Sequence, residues 1–417
     1  MRIVPDSRDL LRFRSVWTRR RFIQAALAAG VGAFVPALGG CSQTPSAGAI
    51  REALAVLRSR RVKPPSLEGF REFRGVVHSH TNLSHDSTGT PGEILEAART
   101  AKLDFLVTTD HYTPRIFTEG IQGLQGSVLV LRGLEAPLGC TRGAGIARRC
   151  GSVLALGLRQ ALDPGAFARR EDLFAAIRSQ GALSIVAHPR GVPDPGYFDL
   201  ADGMEIYDIA DAMRERIVDV PRYFLEFALA PAAYQEELLL PIVERADWHL
   251  AQWDLLTRTR RLVGLAGNDA HQNLTVFGRR VDPYDAVFRA VNTHILASSL
   301  SPESLVEALR VGRCFSSFNL LADAAGFQFV VRDGENGPVV GLMGDEVSIQ
   351  DGLVLEVRSP VPAVIELFRD GTPIRRQEGR QLRHAVDRPG VYRVEVSLKV
   401  VDRWRPWIFA NPIYVRA

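Results

Sequence analysis

Residues 76–87, VVHSHTNLSHDS, place His78, His80 and His85 within eight positions of a chain that has only 9 histidines. Imidazole is the commonest side-chain ligand for transition metals. Two residues two apart on extended chain face the same side, so His78 and His80 can close on one ion. Comparable groups recur downstream, each at the end of an apolar run. Asp110 and His111 end DFLVTTDH (104–111), Glu135 ends SVLVLRGLE (127–135), His188 follows LSIVA, and Asp269 and His271 end RLVGLAGNDAH (261–271). Five of these histidines (His78, His80, His111, His188 and His271) with Glu135, Asp269 and Asp86 make eight candidate ligands, more than the roughly four that one zinc takes. They suit two or three divalent cations sharing carboxylates. Such ions acidify a bridging water to a pKa of about 7 and clamp the oxygens of a phosphoryl centre. The donors are compatible with Zn, Mn or Fe and do not choose among them. Any one of these residues alone could be a cap, a turn or a surface group. Their recurrence at five run ends is what points to a shared site. His249, His294 and His384 lack that setting and are expected to be surface or satisfied core histidines.

The elements that must position these groups follow from periodicity. Strand-like runs at 73–77, 104–109, 128–134, 183–187, 202–208 and 262–267 alternate with helical stretches. TPGEILEAARTAKL (90–103) has Thr90 as N-cap, Pro91 in the first turn and Glu93 three residues after the cap, a capping box. Helices are also expected at 49–61, 170–182, 212–260 and 301–313. The alternation predicts a parallel sheet covered by helices, open or closed. In such folds the strand C-termini converge on one rim. From about 322 the pattern changes to apolar–polar alternation with turns at Asp370-Gly371 and Pro389-Gly390. This predicts a small antiparallel β-sandwich over 322–417.

At 417 residues, 46% hydrophobic and 24% charged, the chain has an ordinary globular composition and room for two or three domains. The net charge of +4 comes from residues 1–40, whose seven Arg and two Asp give +5 and leave −1 for the rest. Nothing in the remainder attracts a nucleic acid. TRRRFIQ (18–24), followed by a moderately apolar stretch to Leu38, resembles a twin-arginine export signal. Broken by Gly30, Gly32 and Pro36, that stretch falls short of the about 20 apolar residues of a membrane span. Leu38-Gly39-Gly40-Cys41 before a small polar linker resembles a lipobox; the alternative is a plain cleavage site with a chance cysteine. The expectation is a signal over 1–40 and a lipid-bearing Cys41, then a linker and short helix to residue 71. The mature protein would be periplasmic or in the outer envelope, touching the membrane only through that lipid. Disulfides are permitted there, and Cys140 and Cys150 could close the loop CTRGAGIARRC. Cys314 would be a free, buried thiol. With no C-x-x-C pair, a cysteine zinc site is not expected.

HSHTNLSHDS, TTDH, GLE, VAHPR and GNDAH occur in that order over roughly 72–320. The series resembles the PHP (polymerase and histidinol phosphatase) superfamily of metallohydrolases. The resemblance implies a distorted (β/α)7 barrel over 72–321 with a two- or three-metal cleft at the strand C-termini. It implies His78 and His80 as the H-x-H ligands, His111 as the TDH ligand and Glu135 as the bridging glutamate. His188 matches the A-H-P histidine, and Asp269 and His271 the final D-x-H pair. The family's usual text after H-x-H is S-D-G. Here His85 holds the aspartate's place and Asp86 follows, so Asp86 is taken as the ligand with His85 as the alternative. The chain end, WRPWIFANPIYVRA, resembles exported members of the CehA/McbA type, and nothing resembles the DNA polymerase that hosts other PHP domains. The implied activity is hydrolysis of a small-molecule phosphoric ester. Alternatives are carboxyl-ester or carbamate hydrolysis on the same site, and a non-catalytic, metal-stabilised envelope binding module. Asp110 is a candidate for orienting His111, and Arg190 for pairing with a phosphate oxygen. Loops 112–126, 136–150 and 190–200, with the insert 212–260, are expected to set specificity.

Overall fold

In a computed structural model describing residues 47–142, 148–215, 237–276, 279–280 and 282–417, the apolar runs form short strands, most of them buried on both faces. The twin-arginine segment, Cys41 and residues 216–236 of the expected helical insert lie outside the described residues. β1 (Arg71–Val76), β2 (Phe105–Thr108) and β4 (Val128–Arg142) are parallel neighbours, with β3 (Gly123–Gln125) antiparallel against β4. β5 (Arg148–Leu156) folds back on β4, placing Cys140 opposite Cys150, and the two form a disulfide. β5 also runs antiparallel to β6 (Leu183–Ala187), after which β6, β7 (Gly203–Asp208) and β8 (Val263–Gly267) are parallel. β5 therefore departs from the uniformly parallel sheet expected from sequence. A parallel crossover needs a dozen or more residues, and the connection between Arg142 and Arg148 is far shorter.

Past β8 the chain returns to β1. Asn268 N donates to Val77 O at 3.3 Å and His80 N to Ala270 O at 2.9 Å; Ser79 and Ala270 form a parallel bridge. Phe105, Val107, Leu129, Leu131, Leu154, Leu156, Ile185 and Leu265 from these strands pack together in one buried cluster. The helix Pro91–Thr100 starts with the expected capping box: Thr90 N donates to Glu93 Oε2 at 2.8 Å, and Thr90 Oγ1 accepts from Glu93 N at 3.2 Å. The expected 212–260 helix is interrupted: Ile209–Glu215 and Asp247–Thr257 are α-helical and Glu237–Ile242 is a 3-10 turn. Among the described residues no helix is long and apolar enough to cross a membrane.

Two residue pairs, β9 (Thr275–Val276) and β10 (Arg279–Arg280), form a small ladder. β11 (Asn292–Ala297) pairs antiparallel with β1, and β12 (Cys314–Ser317) with β11. The C-terminal strands are β13 (Gln328–Asp333), β14 (Val339–Leu342), β15 (Glu346–Ser348), β16 (Leu353–Arg369), β17 (Thr372–Ala385), β18 (Gly390–Val400) and β19 (Arg403–Arg416). β19 pairs antiparallel with β12, so hydrogen bonding runs on from the preceding strands into this set. Asn411 on β19 reinforces the join, accepting from Gly264 N at 2.8 Å and donating to Gly264 O and Cys314 O at 3.0 Å. A buried ion network completes it. Arg393 on β18 bonds Asp254 and Glu395, and Arg245 reaches Glu395 at 2.7 Å.

Candidate metal centre

Three residues that close strands adopt left-handed backbone: His78 (φ 64°), His188 (φ 48°) and Asp269 (φ 45°). Such a conformation costs a non-glycine residue about 1–3 kcal/mol and persists only where its surroundings impose it. Here Asn268 N is tied to Val77 O, and His188 N donates to Glu205 Oε2 at 3.1 Å. The strained ends of β1, β6 and β8 thereby send their side chains to one place.

At that place carboxylates and imidazoles interleave. Glu135 Oε2 lies 3.4 Å from His78 Nε2, 3.3 Å from His80 Nε2 and 3.4 Å from His111 Nδ1. Asp269 Oδ1 lies 3.5 Å from His78 Nε2, 3.4 Å from His80 Nε2 and 3.3 Å from His271 Nδ1. Asp86 Oδ2 is 3.4 Å from both His111 Nε2 and His271 Nε2. His188 Nε2 stands 3.7 Å from Glu135 Oε1. The eight residues expected from sequence to be ligands are thus neighbours. His85 joins at the edge, its ring 5.0 Å from that of His111, and its donor atom groups with those of Asp86 and His111. Most of the cluster is buried. Side-chain exposure of 30% at His111 and 25% at Asp86 marks the side open to solvent.

The hydrogen bonds around the rings select their tautomers. Glu205 Oε1 is 2.7 Å from His78 Nδ1, so that nitrogen carries the proton and Nε2 turns to Glu135 and Asp269. His271 Nδ1 donates to Asp269 O at 2.9 Å, leaving Nε2 toward Asp86. Ser84 Oγ gives its single proton to Asp110 Oδ1 at 3.0 Å and accepts from His80 Nδ1 at 3.0 Å and His111 N at 2.9 Å. His80 is therefore protonated at Nδ1 and presents Nε2. Outer acceptors of this kind set the orientation and basicity of metal-binding histidines.

The donor set fits divalent cations. His78, His80, Glu135 and Asp269 form one group of donor atoms within 4.8 Å of one another; His80, His111 and His271 form a second, and His188, Asp208 and Asp269 a third. His80 Nε2, Asp86 Oδ1 and Asp208 Oδ2 are buried without a hydrogen-bond partner, a cost of about 1–3 kcal/mol each unless something satisfies them. The electrostatics agree. Burial opposes a proton on His80, but Asp269 and Glu135 outweigh it and push the ring up to about 9. His188 is likewise raised to about 10, burial being overcome by Asp211 and Asp208. Glu135 and Asp269, despite burial, are held well below the usual carboxylate range by the surrounding imidazoles. Positive charge is demanded at this site, and imidazolium protons supply it when cations do not.

Three acidic residues not expected from sequence belong here too. Glu205 and Asp208 lie on β7, and Asp211 follows; Asp211 Oδ2 is 3.2 Å from His188 Nδ1 and Asp208 Oδ1 3.8 Å from it. The available signal was EIYDIAD at 205–211, an acidic strand end like the others. Asp110 faces Thr81 and Ser84, not the His111 ring: Oδ1 accepts from Thr81 N at 2.5 Å and Oδ2 from Thr81 Oγ1 at 3.0 Å. The Arg190 guanidinium stands outside the donor group, over the Trp248 ring at 5.3 Å. His294 is a satisfied core residue, its Nδ1 2.6 Å from Glu72 Oε1 and its ring stacked on Phe315.

No protein-family model and no curated protein matches the chain. Among solved structures, it is similar to a two-domain protein from Bacteroides vulgatus that contains a predicted PHP-like metal-dependent phosphoesterase. Identity is 16%, over 84% of this chain and 98% of that one, with a TM-score of 0.41. The functional reading rests on the donor geometry of this chain.

Proposed function

We propose that this protein is a metal-dependent hydrolase of the PHP type acting on a small-molecule phosphoric ester. In this reading residues 72–321 form the (β/α)7 barrel that carries the site, and 322–417 form a β-sandwich domain. One observation carries it: single carboxylate oxygens of Glu135 and Asp269 each face imidazole nitrogens from three residues, in a buried pocket with one open side.

Two or three divalent ions, drawn from Zn, Mn and Fe, would be held by His78, His80, Glu135 and Asp269, by Asp86, His111 and His271, and by His188. Asp208 is an added candidate beside His188. When bound, such ions acidify water and neutralise charge on phosphoryl oxygens. The chain's own residues do the rest. Glu205 and Ser84 fix His78 and His80 with Nε2 inward. The buried strand ends exclude bulk water on all sides but that of Asp86 and His111, where an ester can approach. Arg190, two residues past His188, brings a guanidinium to the Trp248 rim, suited to a phosphate oxygen. We also place the mature protein in the cell envelope, exported through residues 18–24 and anchored at Cys41. The Cys140–Cys150 disulfide supports an oxidising compartment.

The test is a panel of aryl phosphates and aryl carboxyl esters, run before and after chelation. Chelator-sensitive turnover of phosphates is expected. Turnover of carboxyl esters alone would move the activity to that class, and a fully metallated protein that hydrolyses neither would make it a binding module.

A further inference from the structure

The metal donors use one end of β6, at Ala187–His188. At its other end, before Leu183, lies a cleft of about 680 Å³, a size typical of small-molecule sites. It opens between the turn after β5, the end of helix Arg170–Ser179 and the helix Pro302–Val311. Its lining carries Arg132, Arg159, Arg178 and Arg310 against Glu303 and Glu307.

These arginines are incompletely matched. Arg159 meets Glu303 at 3.6 Å with both side chains about two-thirds exposed, at 68% and 69%, a pairing worth little in water. Arg310 donates to Gly181 O at 2.8 Å and sits 3.6 Å from Asp202. Arg178 donates to Leu200 O at 2.9 Å. Among the described residues neither Arg178 nor Arg132 has a carboxylate partner.

Arg132 is the least satisfied. Its Nε is buried without a hydrogen-bond partner. Its guanidinium lies over the Phe117 ring at 4.8 Å, with one long bond of 3.4 Å to Phe117 O. Burial alone draws it below the usual arginine range, with no carboxylate opposing the shift. A guanidinium stays charged at any ordinary pH, and Arg132 is half-buried, so its charge remains open to an anionic ligand from the cleft. A planar fork of donors without a carboxylate matches the oxygens of a phosphoryl group.

We propose that this cleft is a second binding site, separate from the metal centre, for a small ligand bearing a phosphate group, with Arg132 as the principal contact and Arg159 and Arg178 beside it. The ligand is either free orthophosphate or a phosphorylated metabolite, since both present the same oxygens. The inference does not depend on the activity proposed above.

The test is calorimetric titration of the full chain, as purified and after chelator treatment, with inorganic phosphate in one arm and ribose 5-phosphate in the other. Binding that survives chelation is expected, weakened about tenfold or more by Arg132→Gln, the scale of one charge-assisted hydrogen bond. The stronger arm identifies the source. The double substitution Glu303→Gln, Glu307→Gln removes the opposing charge on an exposed helix face and is expected to tighten binding severalfold. Absence of chelator-resistant binding of either probe overturns the proposal, as does affinity that neither the arginine nor the glutamate variants change.

Discussion

Glu205 Oε1 stands 2.7 Å from His78 Nδ1, and that contact decides which nitrogen of His78 faces the carboxylates. The expected outcome for Glu205→Ala is a loss of metal affinity of about 10–100-fold, the usual effect of removing an outer acceptor. Glu205→Gln, which keeps an oxygen for Nδ1–H, falls between. Metal titration of the two variants with a chromophoric competitor checks this ranking.

Asp110, a candidate from sequence for orienting His111, faces Thr81 and Ser84 in the structure. It accepts from Thr81 N, Thr81 Oγ1 and Ser84 Oγ, and Ser84 in turn holds His80. Asp110→Ala leaves buried donors unpaired, at about 1–3 kcal/mol each. Thermal unfolding is expected to shift down together with metal affinity. A drop in turnover at unchanged melting temperature and metal content would assign Asp110 to the chemistry instead.

The pH dependence of the metal-free protein has a definite sign. His80 is raised from 6.5 to about 9 and His188 to about 10. Groups with raised folded-state values contribute stability that is fully present below the unfolded value, and that stability is lost as pH rises through the folded one. Chelated protein is therefore expected to lose stability between about pH 6.5 and 10, while apparent metal affinity rises over the same interval as ions displace those protons. Denaturant midpoints and metal titrations across this window test both slopes.

Arg393 is 2% exposed and bonds both Asp254 and Glu395, joining the helix Asp247–Thr257 to β18. Arg393→Ala leaves two buried carboxylates short of a partner, and a loss of about 3–5 kcal/mol is expected. Chemical denaturation measures it. Metal content of the folded fraction is expected to stay unchanged, because the network lies away from the donors.

How far these features could be read from the sequence depended on the range of the interaction. His78, His80, His111, Glu135, His188, Asp269 and His271 each follow an apolar run, and alternation places strand ends locally. Glu205 and Asp208 sit within DGMEIYD, where a charged residue inside a strand looks like ordinary alternation until its neighbours are known. The reversal of β5 follows from a short connection that only the Cys140–Cys150 pairing makes obvious. The union of β12 with β19 joins residues nearly a hundred positions apart, and no local period encodes such a pairing. Helical spacing runs through 212–260, but Pro241 falls in the 3-10 turn Glu237–Ile242, where proline limits helix continuation.

The most direct test of the account is elemental analysis of the purified chain alongside His80→Ala, each followed by an aryl phosphate assay. Two or three divalent ions per wild-type chain are expected, with metal and turnover falling together in the variant. Full turnover by a chain that holds no divalent metal, or full metal occupancy in His80→Ala, would contradict it.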